Sequence, residues 1–168
     1  MELREIQRPL KEQYRVQPDA ARITLRAQGA GADSPMACSV DLGRALYEAQ
    51  AHVGVGGAGT AACSGDLLLG ALAACAQLTA QMVAANMGLA VERLEVSVEG
   101  DLDLRGTLGM DPTAPVGFAA IRTRFEVVAP GASEEQLAKL RERAERYCVV
   151  LQTLLQPPPI ESSWPDPA

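Results

Sequence analysis

Hydrophobic and polar positions alternate most regularly in the second half of the chain. Leu94, Val96, Val98, Leu102 and Leu104 are interleaved with Glu95, Ser97, Glu99, Asp101 and Asp103. This two-residue period is that of a strand with one buried face. Gly100 interrupts the pattern and predicts a bulge. Beyond a loop at 106–117, Ile121, Thr123, Phe125 and Val127 alternate with Arg122, Arg124 and Glu126 and predict the partner strand. Ahead of this pair the period lengthens. Leu68, Leu72, Cys75, Thr79 and Met82 recur at three- and four-residue steps, so a long helix over about 64–86 would carry them on one face. Ser64 is placed to cap it, Asp66 suits the positive end of its dipole, and Gly88 suits its exit. Gly70, Ala71, Ala73, Ala74 and Ala76 would admit a second backbone closely, although an Ala-rich run is also plain helix propensity.

Weaker signals complete the outline. Residues 1–15 read as a short charged helix ending near Pro18. Ile23, Leu25 and Ala27 predict a strand, 29–35 a turn, and Cys38, Val40 and Leu42 a second strand broken at Gly43. A third strand is predicted at 44–49, and 54–59 is a Gly-rich loop. Ser133 and Gln136 form a capping-box pattern, with Glu134 and Glu135 in the first turn of a helix that runs to about Tyr147. A short helical turn at 149–154 ends at Pro157, Pro158 and Pro159. The order of strands, helix, strands and helix is α+β, with helices segregated against antiparallel sheet. With 168 residues the expectation is one domain. It would comprise an N-terminal helical extension (1–19), N-terminal strands and loop (20–62), and a central helix, hairpin and C-terminal helix (63–160).

Composition narrows the function classes. The net charge of −6 argues against a nucleic-acid surface. No uninterrupted apolar run reaches about 18 residues, which argues against a membrane span. The N-terminal sequence MELREIQRPLKEQYR lacks the apolar stretch of a secretory signal. Four cysteines are too few for a disulfide scaffold in a chain this long, so a reducing cytoplasm is the expected setting. Any disulfide there would be transient or catalytic.

Two of the cysteines stand at addresses where a thiol could act. Cys75 lies within LLLGALAACAQLTAQM, and Cys148 lies where a charged helix ends, in RERAERYCVVLQTL. On helical spacing Cys75 is equally readable as a small buried hydrophobe. Arg141, two turns before Cys148, would favour thiolate there, whereas the negative end of the helix would oppose it. Cys38 reads as a strand core residue. Cys63, just before the long helix, gains from the dipole but is also a plain loop position. His52 with Cys63, Cys75 and Cys148 could supply four zinc ligands, but the short paired spacing of zinc sites is missing, and no metal or cofactor is predicted. Gly54, Gly56, Gly57 and Gly59 lack the strand context and the Gly-Lys-Ser/Thr of a phosphate loop.

Taken together, SGDLLLGALAACAQLTAQMVAANMGL, VERLEVSVEGDLDLRG, the strand at 118–128, the helix from Ser133 and YCVVLQTL resemble, in order, the OsmC/Ohr family across roughly residues 20–160. The resemblance implies an OsmC-like fold, with curved antiparallel sheets and a long central helix, assembled as an intertwined homodimer. It also implies thiol-dependent reduction of organic hydroperoxides. Cys75 would be the peroxidatic residue and Cys148 the resolving one, joined in a Cys75–Cys148 disulfide during turnover. An external dithiol or lipoyl-bearing protein would serve as reductant. An apolar pocket lined from Leu68 and Leu72 would favour organic peroxides.

The chain departs from the family in three places. The peroxidase members carry an acid at the position of Gly65; Asp66 follows it but lies about half a turn out of phase with Cys75 and about 13 Å along the axis, so as a supporting acid it would serve the partner subunit's site rather than its own. The family's early Arg is missing from 29–35, leaving Arg26 and Arg44 as candidates. The segment that usually reads Cys-Pro-Val is Cys148-Val149-Val150. A second reading is therefore a catalytically weak protein of this fold that binds apolar small molecules or acts in redox regulation.

Overall fold

The computed structural model describes residues 46–165 in full, the backbone of 28–31 and 37–41, and residues 5, 8, 11–13, 16 and 17 near the N-terminus. The backbone is helical at 5, 8, 11–13 and 16, within and just beyond the predicted charged helix. The strand expected at 23–27 lies outside the described residues, as do Leu42 and Gly43.

Strands β1 (Gln28–Gly31), β2 (Ala37–Asp41) and β3 (Leu46–Gln50) form an antiparallel meander. Its register sets Gly29 opposite Val40 and Val40 opposite Tyr47. The turn predicted at 29–35 thus begins as strand. Ladder hydrogen bonding to β2 overrides the low strand preference of its glycines. A single 3-10 turn (Val53–Val55) follows, with the His52 imidazole Nδ1 accepting the Gly54 N–H at 3.0 Å.

Helix α1 (Ser64–Met87) is the axis of the remaining structure. Its N-cap is Cys63, not Ser64. The extended Cys63 backbone donates its N–H to Asp66 Oδ2 at 2.9 Å, so Asp66 serves as the carboxylate half of a cap. Gly88 closes the helix at φ 69°, a conformation a side chain would disfavour. The buried face comprises Leu72, Ala76, Thr79, Ala80, Val83 and Ala84. Leu68 and Met82, expected on that face, are exposed, because the stripe drifts around the helix as 3.6-residue turns accumulate. By length and composition alone α1 is long and apolar enough to cross a membrane. Its packed inner face is that of a core helix.

That face rests on the hairpin of β4 (Arg93–Asp101) and β5 (Ala120–Val128) and on α3 (Glu134–Tyr147). The hairpin is in continuous antiparallel register from Arg93↔Val128 to Asp101↔Ala120. Gly100 is therefore no bulge. It makes room for Phe118: a Cβ at 100 would sit 2.5 Å from the ring. Leu104 is not strand either. Asp103 accepts the Arg105 N–H at 3.0 Å and starts the four-residue α2 (Leu104–Thr107). On the outer face of the hairpin Arg93, Arg122 and Arg124 alternate with Glu95, Glu99, Asp101 and Glu126 in exposed ion pairs, which fix register more than they add stability.

The core falls into two clusters along α1. Val83, Ala84 and Leu140 pack with Met87, Leu89 and Val127. Leu72, Ala76 and Cys148 pack with Cys75, Val96, Val98, Ile121 and Phe125. Gln77 ties α1 to the sheet by donating Nε2–H to the Leu94 carbonyl at 2.8 Å. The Ser133–Gln136 capping box is present in both directions. Ser133→Ala should lower unfolding free energy by about 1 kcal/mol, read from the urea midpoint at unchanged slope.

Candidate functional site

Cys148 stands at a break in the helix. Helix α3 ends at Tyr147, Cys148 takes an extended conformation (φ −74°, ψ 102°), and α4 (Val149–Leu155) starts at the next residue. Gln152 Nε2 donates to the Glu145 carbonyl at 3.0 Å, covering an acceptor that the end of α3 leaves open. In line with the buried Leu140 and Ala144, the Cys148 side chain points inward at 1% exposure against Leu72 and Ala76. Arg141 is exposed whereas Cys148 lies buried in line with Leu140 and Ala144, and no guanidinium is among the groups that shift the Cys148 thiol. Arg146 stacks on the Tyr147 ring at 5.7 Å.

Cys75 reaches the same place from α1 and stays half-buried. It packs against the cluster of Leu72, Ala76 and Cys148. The two thiols are free and their acidities are driven apart. Burial pushes Cys75 up, but the Val150 N–H, the Cys148 thiol, Thr79 and the Val149 N–H together outweigh it and hold Cys75 below the ordinary thiol value. Burial pushes Cys148 up, the Leu151 N–H opposes this, and hydrogen bonding and charge from Cys75 push it further up. Cys75 is therefore the more acidic thiol of the pair and Cys148 the less acidic.

The remaining predicted residues lie elsewhere. Cys63 and Asp66 line a cavity of about 240 Å³ with His52, Gly65 and Phe118, away from the dithiol lining. There Asp66 is held below the usual carboxylate range by the Cys63 N–H and then by the Cys63 thiol. Both residues are thus engaged in starting α1. A Cβ on Gly65 would point toward Phe118 and Cys63 Sγ. Arg26 and Arg44 lie outside the described residues, as does the Cys38 side chain. Among the described residues no three His, Cys, Asp or Glu side chains converge as metal ligands. Leu72 is buried at 1% exposure, and Leu68 is 38% exposed. Reading the sequence alone missed Thr79 and the two valine amides. Thr79 was legible as the polar member of the apolar stripe. The amides carry no side-chain signal.

The Cys75 thiolate should alkylate first. With iodoacetamide and peptide mapping, its rate should rise with pH to a midpoint below about 8.5, the value of an unperturbed thiol. Cys148 should react more slowly at every pH below its own, higher midpoint.

The comparisons with known proteins agree with this architecture. In solved structures the chain is similar to an OsmC-like protein of Mycoplasma pneumoniae (TM-score 0.67, 18% identity, covering 80% of this chain and 89% of that one). It is also similar to an organic hydroperoxide resistance protein OsmC of Legionella pneumophila (0.58, 17%, 81% and 92%). A third is the organic hydroperoxide resistance protein OhrB of Bacillus subtilis (0.51, 16%, 80% and 93%). No curated protein matches the sequence significantly. The family described as OsmC-like protein matches residues 57–163, well over half the chain and the whole span from α1 to α4. The protein belongs to the OsmC-like family.

Proposed function

We propose that the protein is a cysteine-based peroxidase that reduces organic hydroperoxides. The observation that carries this reading is the contact of two thiols with oppositely displaced acidities. The Cys75 thiolate attacks the distal oxygen of ROOH, the O–O bond breaks, and the alkoxide takes a proton to leave as ROH. The sulfur is oxidised to a sulfenic acid. The Cys148 sulfur then displaces hydroxide, which leaves as water, and a Cys75–Cys148 disulfide forms. An external dithiol, lipoyl-bearing or otherwise, reduces it by two exchange steps and is itself oxidised to a disulfide. Several structural relatives are named organic hydroperoxide resistance proteins, which supports the substrate class.

One equivalent of cumene hydroperoxide should produce a Cys75–Cys148 disulfide in peptide mass spectra. Cys75→Ser should abolish peroxide consumption. Cys148→Ser should leave a sulfenic acid that dimedone traps. Intact thiols at both positions after that treatment of the native chain would end the peroxidase reading.

The same reading includes a cytoplasmic homodimer of single OsmC-like domains. Support comes from the outer face of α1, where Leu68, Ala71, Leu78, Met82 and Ala85 form an exposed apolar stripe. The β1–β3 meander also makes no extensive packing with α1, β4 or β5 among the described residues. Sedimentation should give twice the 17.7 kDa chain mass, and Leu78→Glu should shift it toward monomer. A second reading, binding of an apolar small molecule without turnover, is favoured by a cavity of about 500 Å³ floored by Ala80, Phe125, Leu140 and Ala144. Ligand-dependent melting without peroxide consumption would select it.

A further inference from the structure

Helix α3 sets Leu137, Leu140, Arg141, Ala144 and Glu145 along one side of the cavity of about 500 Å³. These positions recur at three- and four-residue steps, so they form one stripe. Leu140 and Ala144 are buried, whereas Arg141 and Glu145 are exposed at its edge. Ala80 of α1 and Phe125 of β5 complete the apolar floor. Ala80 and Ala144 are small, which leaves space between α1, α3 and β5. Apolar walls around such a space lack the dispersion contacts that a filled one would make, so an apolar guest gains there. Neither Cys75 nor Cys148 lines the cavity. Phe125 is shared between the two regions, since it also packs against Leu72, Ala76 and Cys148.

The charged groups at the mouth differ in what holds them. Arg124 borders the cavity, but its guanidinium pairs with Glu126 at 3.3 Å. Arg93, Arg105 and Arg122 are likewise paired with carboxylates. Arg141 makes no ion pair among the described residues. Glu145 follows it by one turn, but a cation placed before an acid is the weaker order on a helix, and the two do not pair. Glu135 and Lys139, in the favourable order on the same helix, meet at 2.6 Å. A guanidinium without a carboxylate, at the edge of an apolar hollow, is complementary to an amphipathic anion. A neutral apolar guest would use the floor and leave Arg141 idle.

We propose that this cavity binds a monocarboxylate with a hydrocarbon tail, the tail lying on Ala80, Phe125, Leu140 and Ala144 and the carboxylate on the Arg141 guanidinium. The proposal deepens the apolar-ligand reading, rests on the cavity of that reading and names its ligand class. It holds whether or not the dithiol turns over. Glu145 lines the same mouth and repels the ligand's charge, which favours a single carboxylate over a more highly charged head group and fixes the sign of one test.

The test is titration calorimetry of the full chain with decanoate and, in parallel, with 1-decanol, which shares the tail and lacks the charge. Arg141 and Glu145 are exposed, so their substitution leaves the core intact. Arg141→Gln should weaken decanoate binding about tenfold, the size of a lost charge-assisted hydrogen bond. Arg141→Lys should recover most of that loss. Glu145→Gln should tighten decanoate binding about twofold, as the removal of an exposed like charge does. Neither glutamine variant should change the affinity for 1-decanol. Equal decanoate affinity in the native chain and Arg141→Gln would overturn the inference. So would an Arg141→Gln protein that loses decanoate binding and 1-decanol binding alike while changing its sedimentation, because the cavity is then covered by a second copy of the chain. If 1-decanol binds as tightly as decanoate and the variants do not distinguish them, the apolar-ligand reading stands and carboxylate recognition falls alone. If neither ligand binds, both fall.

Discussion

The break between α3 and α4 is the constraint on which the site depends. One residue, Cys148, leaves helical geometry, and two helices change direction around it. Residue 148 follows the buried Leu140 and Ala144 at four-residue steps, so its thiol continues their inner face and packs against Leu72 and Ala76. The break adds a new helix start directly after it, which brings the first residues of α4 beside Cys75. Gln152 covers the Glu145 carbonyl that the break exposes, so the interruption leaves that acceptor satisfied.

The two thiols differ in acidity through geometry rather than through charged neighbours. Cys148 is fully buried, and burial penalises its anion. Cys75 is buried less and collects donors from α1 and α4, which favours its anion. Each state reinforces the other, because a neutral Cys148 can donate to an anionic Cys75 whereas two anions would repel. The reduced pair is thus asymmetric, with Cys75 the more acidic thiol and Cys148 the less.

Asp66 shows how one residue type can invite two readings. Its place near the start of α1 suggested a supporting acid for the thiol. In the structure its carboxylate takes the Cys63 N–H and begins the helix. Gly65 beside it faces Phe118 and Cys63. Among the described residues, the contacts that favour the Cys75 anion are neutral, and they come from the helix break and from Thr79.

Much of this fold was legible in the sequence because the signals are local. The alternation over 94–101 and 121–127, the capping box at Ser133 and Gln136, and the Gly88 exit are each set within a few residues, and each stands in the structure. The failures were of another kind. Gly100 reads as a bulge until the Phe118 ring, remote from the pattern that defines the strand, is seen to occupy its space. Gly29 and Gly31 read as turn until β2 supplies hydrogen bonds. The two cysteine segments drew attention to Cys75 and Cys148, which pack together in one core cluster. Sequence could not give the sign of their acidities, because burial, a neighbouring sulfur and backbone amides act only once α1 and the α3–α4 break are packed together. Residue identity placed the sulfurs on their elements; tertiary contact decided which of them is the more acidic.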